Sequence, residues 1–139
     1  VYAADPVGLS KPYPGIITVL DYLEKENIPM SVLSNKPDLL TKDIVERIFR
    51  SSRFAAVRGA MDELPKKPDP SAALELAVLM DCVKEDIVFF GDTAVDMETA
   101  RNAGMYPVGV SWGFRERGEL EKTGASKILD KAEEILDFL

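Results

Sequence analysis

The stretch Ile87-Val88-Phe89-Phe90-Gly91-Asp92-Thr93-Ala94-Val95-Asp96 constrains the fold of this chain more than any other. Four consecutive apolar residues rich in β-formers read as a strand buried on both faces, the pattern of a parallel sheet. Gly91 lets the backbone turn. Asp92 then sits at the carboxyl end of the strand, and Asp96 in the first turn of a following helix. Both carboxylates could face one point above the sheet edge, where open α/β sheets bind ligands. Carboxylates at close range repel unless a cation lies between them, and a hard, oxygen-preferring ion such as Mg2+ relieves that repulsion. Taken alone, the same residues also suit a helix N-cap with a solvated acid one turn on.

Composition narrows the chemistry. The 139 residues contain no histidine, so neither Ser/His/Asp or Cys/His nucleophile systems nor His-ligated metal sites can be built from this chain alone. Carboxylates, lysine, hydroxyls, backbone amides and an oxygen-bound metal remain. The lone Cys82 excludes a disulfide framework and fits a reducing cytoplasm. A net charge of -7 argues against nucleic acid as a partner, because phosphate backbones select basic surfaces. No apolar run approaches the roughly 20 residues of a spanning helix, and the start lacks signal-peptide character, so no membrane role is expected. The length is that of one domain at most.

In chain order, residues 1–15 hold Pro6, Gly8, Pro12, Pro14 and Gly15 without periodicity and read as a linker. A helix is expected over about 16–26, with Ile16, Leu20 and Leu23 inward. A strand at 30–35 ends in Ser34-Asn35, a pair that also suits a simple turn before Pro37. A second helix at 38–50 carries Leu40, Ile44 and Ile48, with Val45 and Phe49 beside them. A short strand covers 54–57, and a polar loop then brings Lys66-Lys67-Pro68-Asp69-Pro70 to the start of a helix at 70–81, with Leu74, Ala77, Val78 and Met80 inward. Two lysines there are also what ordinary surface charge looks like. The helix after the acid run buries Met97, Ala100 and Ala103 and ends at Gly104. A strand follows at 107–112, with Trp112 and Phe114 near its end, then a charged loop, a strand at 127–130 and an amphipathic helix over 131–139. Strands alternating with helices predict an α/β fold: a three-layer, Rossmann-like parallel sheet with helices on both faces.

The ordered set of a strand ending in Ser34-Asn35, Lys67 before Pro-Asp-Pro, and Gly91-Asp92-Thr93-Ala94-Val95-Asp96 resembles the second, third and fourth motifs of the haloacid dehalogenase-like superfamily of hydrolases. Ser34-Asn35-Lys36-Pro37, Ala100-Arg101-Asn102-Ala103-Gly104-Met105 and Val108-Gly109-Val110-Ser111-Trp112-Gly113 are similar to its phosphoglycolate phosphatases. The resemblance implies Mg2+-dependent phosphoryl transfer from a small phosphorylated metabolite to an aspartate, then hydrolysis. Ser34 would donate its hydroxyl to the phosphoryl group, and Asn35 a backbone or amide N–H. Lys67 would supply a fixed positive charge. Asp92 would ligate Mg2+, and Asp96 would hold a metal-bound water or orient Lys67.

One departure matters more than the agreements. The family's first motif, Asp-x-Asp at the end of the first strand, is absent, and Asp5, before Pro6 in the linker, has no strand ahead of it and is a poor substitute. The helical cap is missing too. Residues 1–14 look like a hinge from that cap, and residues 15–139 like a partial core domain lacking the central first strand. The expectation is a fragment of a longer phosphatase, inactive alone. The unpaired edges of its sheet would be completed by the missing amino-terminal segment or by another chain. Two other readings stand beside the phosphatase: a non-catalytic binding module, and a receiver-like phospho-acceptor domain, whose acids, hydroxyl and lysine come in a different order. Metal-free dehalogenase chemistry does not need the acid cluster.

Overall fold

The computed structural model describes residues 2–3, 15–111 and 117–138, and every strand pairing in it is parallel. Strand β1 (Tyr2–Ala3) comes first. Helix α1 (Ile16–Lys25), β2 (Met30–Pro37), α2 (Asp38–Phe49), β3 (Ala56–Ala60) and α3 (Ser71–Leu79) follow. Then come β4 (Val88–Gly91), α4 (Ala94–Ala103), β5 (Tyr106–Val110), α5 (Arg117–Lys122), β6 (Lys127–Leu129) and a 3-10 helix, Ala132–Phe138. Among the described residues no helix is long and apolar enough to cross a membrane.

The strands form two small sheets, β1-β2-β3 and β4-β5-β6, and β1 also lies against β4. Side by side they run β3-β2-β1-β4-β5-β6, the order of a doubly wound Rossmann-type sheet whose winding reverses between β1 and β4. The chain is thus a partial Rossmann-like domain. The sequence suggested a strandless linker over residues 1–15 and a vacant central position. Instead Tyr2 and Ala3 pair with Met30 and Ser31, covering only the first end of the eight-residue β2. Two residues are too few for any periodicity to register. Residues 4–14, Asp5 among them, and Trp112 and Phe114 lie outside the described residues.

Helix α1 forms as its pattern predicts. Ile16, Leu20 and Leu23 are buried, joined by Val19, and Gly15 precedes them at φ 84°, a left-handed conformation that glycine adopts without strain. Phe89, Phe90, Met30, Leu76 and Leu129 fill the centre beside it. Burying such side chains contributes roughly 1.5–3 kcal/mol each before conformational entropy is subtracted. In α4, Met97, Ala100 and Ala103 are buried as expected, and Gly104 closes the helix at φ 76°.

The inward faces of α2 and α3 are only partly those suggested by hydrophobicity: Val45, Phe49, Ala77 and Met80 are buried and Ile44 and Ile48 pack against the core, whereas Leu40, Leu74 and Val78 are exposed. In α2 the stripe Thr41, Val45 and Phe49 is buried, whereas Leu40 is exposed; Thr41 donates its hydroxyl proton to the carbonyls of Lys36 and Pro37 and so is satisfied inside. In α3, Ala73, Leu76, Ala77 and Met80 are buried while Val78 is 77% exposed. That helix is apolar almost all round, so hydrophobicity alone could not choose its inner face. Helix α5 falls where a charged loop was expected. Leu120 is its fully buried anchor, and a side chain added at Gly109 would come within 3.0 Å of it.

Candidate active site

Three segments converge at the carboxyl ends of β2 and β4, beside the point where the winding reverses. The first is the end of β2. The β2–β3 ladder is regular through Leu33 and Arg58 and resumes at Pro37 and Ala60, so residues 34–36 stand opposite Gly59 alone. Such a bulge re-aims side chains. Ser34 is 3% exposed, and its Oγ accepts the Lys36 N–H at 3.1 Å. Gly59 has no room for a side chain: a Cβ would sit 2.5 Å from the Asp38 Cα. The Gly59 N–H donates to Asp38 Oδ1 at 2.8 Å, and Lys42 pairs with the same carboxylate at 2.8 Å. Burial pushes the Asp38 carboxyl up, but the Lys42 and Gly59 hydrogen bonds and the Lys42 and Arg58 charges outweigh it and hold the group below the usual carboxylate range.

The second segment is the loop from β3 to α3, which carries Lys67. Asn35 bonds its backbone twice: Nδ2 donates to the Lys67 carbonyl at 3.3 Å, and Oδ1 accepts the Lys67 N–H at 3.1 Å. One residue on, the Asn102 Nδ2 of α4 donates to the Pro68 carbonyl at 3.0 Å. Asp69 Oδ1 then accepts the Ser71 N–H at 2.8 Å and starts α3. Hydrogen bonds from the Ser71 hydroxyl and N–H hold the Asp69 carboxyl below its ordinary range.

The third segment is the junction of β4 and α4. Thr93 caps α4 with its Oγ1 on the Asp96 N–H at 3.2 Å, and Asp96 reaches back, its Oδ2 accepting from Asp92 N at 3.0 Å and Thr93 N at 3.3 Å. This is a capping box with aspartate at its third position. Asp96 Oδ1 accepts from Lys67 Nζ at 2.5 Å, and the two side chains are 3% and 6% exposed. The N-cap that the sequence offered as the plain alternative is therefore present, but its acid is buried and paired rather than solvated. Gly91 is the last residue of β4 and makes this possible, because a Cβ there would lie 2.1 Å from the Asp96 Cβ.

All five residues singled out in the sequence thus fall on adjoining positions. Asn35 holds Lys67, Lys67 pairs with Asp96, and Asp96 binds the backbone of Asp92. Ser34, Asn35, Lys66, Lys67 and Arg58 line a cavity of about 20 Å3, room for one water molecule. Of the two roles that the resemblance implied for Asp96, the contact with Lys67 is the one whose partner is present among the described residues. The donor set suits Mg2+ modestly. Half-buried Asp92 stands at the carboxyl end of β4 with one hard carboxylate, and Mg2+ binds through one or two carboxylates plus phosphate and water. Among the described residues no group of three acids gathers. The sequence did not assign a role to Thr93, although its three-residue spacing from Asp96 was a usable signal, nor to Asn102, which entered only as part of the stretch Ala100–Met105.

A parallel α/β sheet with lysine and aspartate meeting beside its switch point defines a class, and the family model for haloacid dehalogenase-like hydrolases matches residues 3–110. The chain belongs to that family. Among its curated relatives are phosphoglycolate phosphatases of Pseudomonas putida strain KT2440, 28% identical over 125 residues, 89% of this chain and 46% of that protein, and of Agrobacterium fabrum, 31% identical over 115 residues, 83% of this chain and 49% of that protein. A crystal structure from Lactobacillus delbrueckii subsp. bulgaricus, assigned as a phosphoglycolate phosphatase, superposes with a TM-score of 0.84 at 33% identity over 90% of this chain and 52% of that one. The chain spans about half the length of the curated relatives it matches.

Proposed function

We propose that this chain carries the metal-and-lysine half of a Mg2+-dependent phosphatase acting on small phosphorylated metabolites, with phosphoglycolate the leading substrate. The observation that carries the reading is the buried Lys67–Asp96 pair, anchored through Asn35 to the end of β2 and through the capping box to the end of β4. A structural ion pair does not need both partners tied to the carboxyl ends of two strands flanking the switch point; a phosphoryl-binding charge does.

In this mechanism an aspartate carboxylate, supplied from outside these 139 residues, attacks phosphorus in line. A P–O bond forms to the carboxylate as the ester P–O bond breaks, and the departing alkoxide takes up a proton. Water then adds to phosphorus and releases the carboxylate and inorganic phosphate. Ser34 donates its hydroxyl, and Asn35 its backbone N–H, to phosphoryl oxygens, since the Asn35 side chain is engaged with Lys67. Lys67 places a compact positive charge beside the transferring group. Asp92 would hold Mg2+, which when bound would supply positive charge to offset that of the phosphoryl group. Domain boundaries follow the same reading, with residues 15–139 a partial core and the stretch 1–14 contributing β1 to its sheet as well as a hinge. An amino-terminal segment or another chain completes the sheet, in a reducing cytoplasmic setting that the lone Cys82 suits.

The test is hydrolysis of p-nitrophenyl phosphate and phosphoglycolate, with and without Mg2+, by the protein including whatever segment precedes residue 1 in its gene. Turnover is expected only with Mg2+, and Asp92→Asn abolishes it while leaving the melting temperature nearly unchanged. Metal-independent turnover, or wild-type rates in Asp92→Asn, overturns the metal assignment; no turnover at all favours a binding module.

A further inference from the structure

We propose that Asn102 is a positioning residue for Lys67, acting from α4 through the carbonyl of Pro68. The functional side of this proposal rests on the phosphatase reading, whereas its structural side does not. The ammonium of Lys67 lies at the end of a long, flexible side chain on a loop, and an ion pair alone fixes only its tip. For the charge to stand in one place, the backbone beneath it must also be held. The loop has two such holds of different origin. Asn35 clips the Lys67 N–H and carbonyl to the end of β2, and Asn102 clips the next carbonyl, that of Pro68, to α4.

The choice of element gives the second hold its meaning. Asn102 stands on the same helix as Asp96, six residues later, and Asp96 receives the ammonium. Helix α4 therefore grips both the tip of Lys67 and the backbone next to its root, so lysine and carboxylate move as one body with the β4–α4 junction. Asn35 alone would tie the lysine to β2 and leave its distance from Asp96 to the side-chain rotamer. With both holds, the separation between the Ser34 end of the site and the Asp92 end is set by backbone-linked contacts. Asn102 is itself solvent-exposed and belongs to no core cluster, so its side chain adds little to packing.

Competitive acylation of lysines by a trace of N-hydroxysuccinimidyl acetate, read by peptide mass spectrometry on the 139-residue chain, tests this without any turnover. Lys67, 6% exposed and paired, acylates slowly, while Lys66 and Lys84 serve as internal references. Removing one hydrogen bond that holds the closed loop raises the open population about fivefold. Asn102→Ala and the isosteric Asn102→Asp, which cannot donate as a carboxylate, are both expected to raise the Lys67 rate about fivefold relative to Lys66, with the melting temperature unchanged. Glu98→Ala, an exposed change on the same helix, leaves the ratio alone. A Lys67 ratio within twofold of wild type in both Asn102 variants overturns the proposal. A rise in which Lys84 shares equally, showing general loosening of the fold, overturns it as well. In the complete phosphatase, Asn102→Ala lowers kcat with KM nearly constant; an unchanged kcat beside a raised acylation ratio also overturns it. A wild-type protein without phosphatase activity refutes the functional reading alone, and the acylation ratio still decides the clamp.

Discussion

Gly91→Ala offers the sharpest test of how the site is built, because it adds one methyl group at a place with no room for it. The new Cβ would meet the Asp96 Cβ at 2.1 Å, Cγ at 2.6 Å and Oδ2 at 2.7 Å. Carbon atoms rest at about 3.5–4 Å from one another, so Asp96 must retreat by about 1.4 Å or more. It has nowhere to go without cost, since it is 2% exposed and its carboxylate accepts from Lys67, Asp92 and Thr93. Overpacking of this kind costs about 1–3 kcal/mol. Losing one hydrogen bond to a charged group adds about 1.5–3 kcal/mol. The sum, about 2.5–6 kcal/mol, is a large part of the roughly 5–15 kcal/mol that holds a domain folded. At about 3–5 °C per kcal/mol for this chain length, melting should fall by about 10 °C or more. Circular dichroism melting and urea unfolding measure it. Gly118→Ala in α5 is the control, because nothing among the described residues lies within 4 Å of its Cβ position, and it should gain up to about 1 kcal/mol. If Gly91→Ala melts within about 2 °C of wild type, the close approach of strand end and carboxylate is not what holds Asp96 in place.

Two further outcomes follow from the same contacts. Lys67→Ala leaves Asp96 buried and charged with its backbone donors, and should cost about 3 kcal/mol of stability in urea unfolding and, on the proposed phosphatase reading, roughly two orders of magnitude in the rate of the complete protein. A loss below about 1 kcal/mol would mean that water already reaches the pair. The Asp38 carboxyl lies below its unfolded value of 3.8, so its contribution to stability is present above that value and disappears as pH falls through the lower, folded one. Asp38→Asn should therefore be less stable than wild type at neutral pH and should lose less stability as pH drops from about 5 towards 2. Parallel acid-unfolding curves for the two proteins would remove Asp38 from the account.

The strand-and-helix alternation was legible because each element carries a period or a stop signal: Ile16, Leu20 and Leu23 on one face, Gly104 at an end, Phe89 and Phe90 in a run buried in the core. Ser34, Lys67, Asp92 and Asp96 were legible as residue types at strand and helix ends. What the sequence hid was the part played by backbone and small groups. Nothing in Asn102 tells that it meets the carbonyl of Pro68, 34 residues away, and Gly91 reads as a turn residue although it serves to admit Asp96. Thr41 failed as a core candidate because a hydroxyl looks polar until its proton is seen to go to the carbonyls of Lys36 and Pro37. Val78 failed the other way, since an apolar helix offers no contrast between its faces.

The two aspartates of the acid loop, alike in sequence, are made different by one helical turn. Asp96, at the third position of the capping box, points back at the amino end of its own helix, where two N–H groups and the lysine converge on it. A carboxylate engaged by three donors has little left with which to bind a metal ion, and displacing any donor would strand a buried charge. Asp92 stands one strand end earlier, half-buried, with its backbone N–H rather than its carboxylate given to Asp96. The pair that first suggested a cation held between two acids therefore splits into two roles. On the proposed reading Asp96 fixes the positive charge of Lys67, and Asp92 is the acid that would bring in a second one. On that division, Asp96→Asn should raise the acylation of Lys67 and destabilise the fold, whereas Asp92→Asn should leave both unchanged and alter only the response to Mg2+. Identical behaviour of the two variants would return the site to a simple shared cation between two carboxylates.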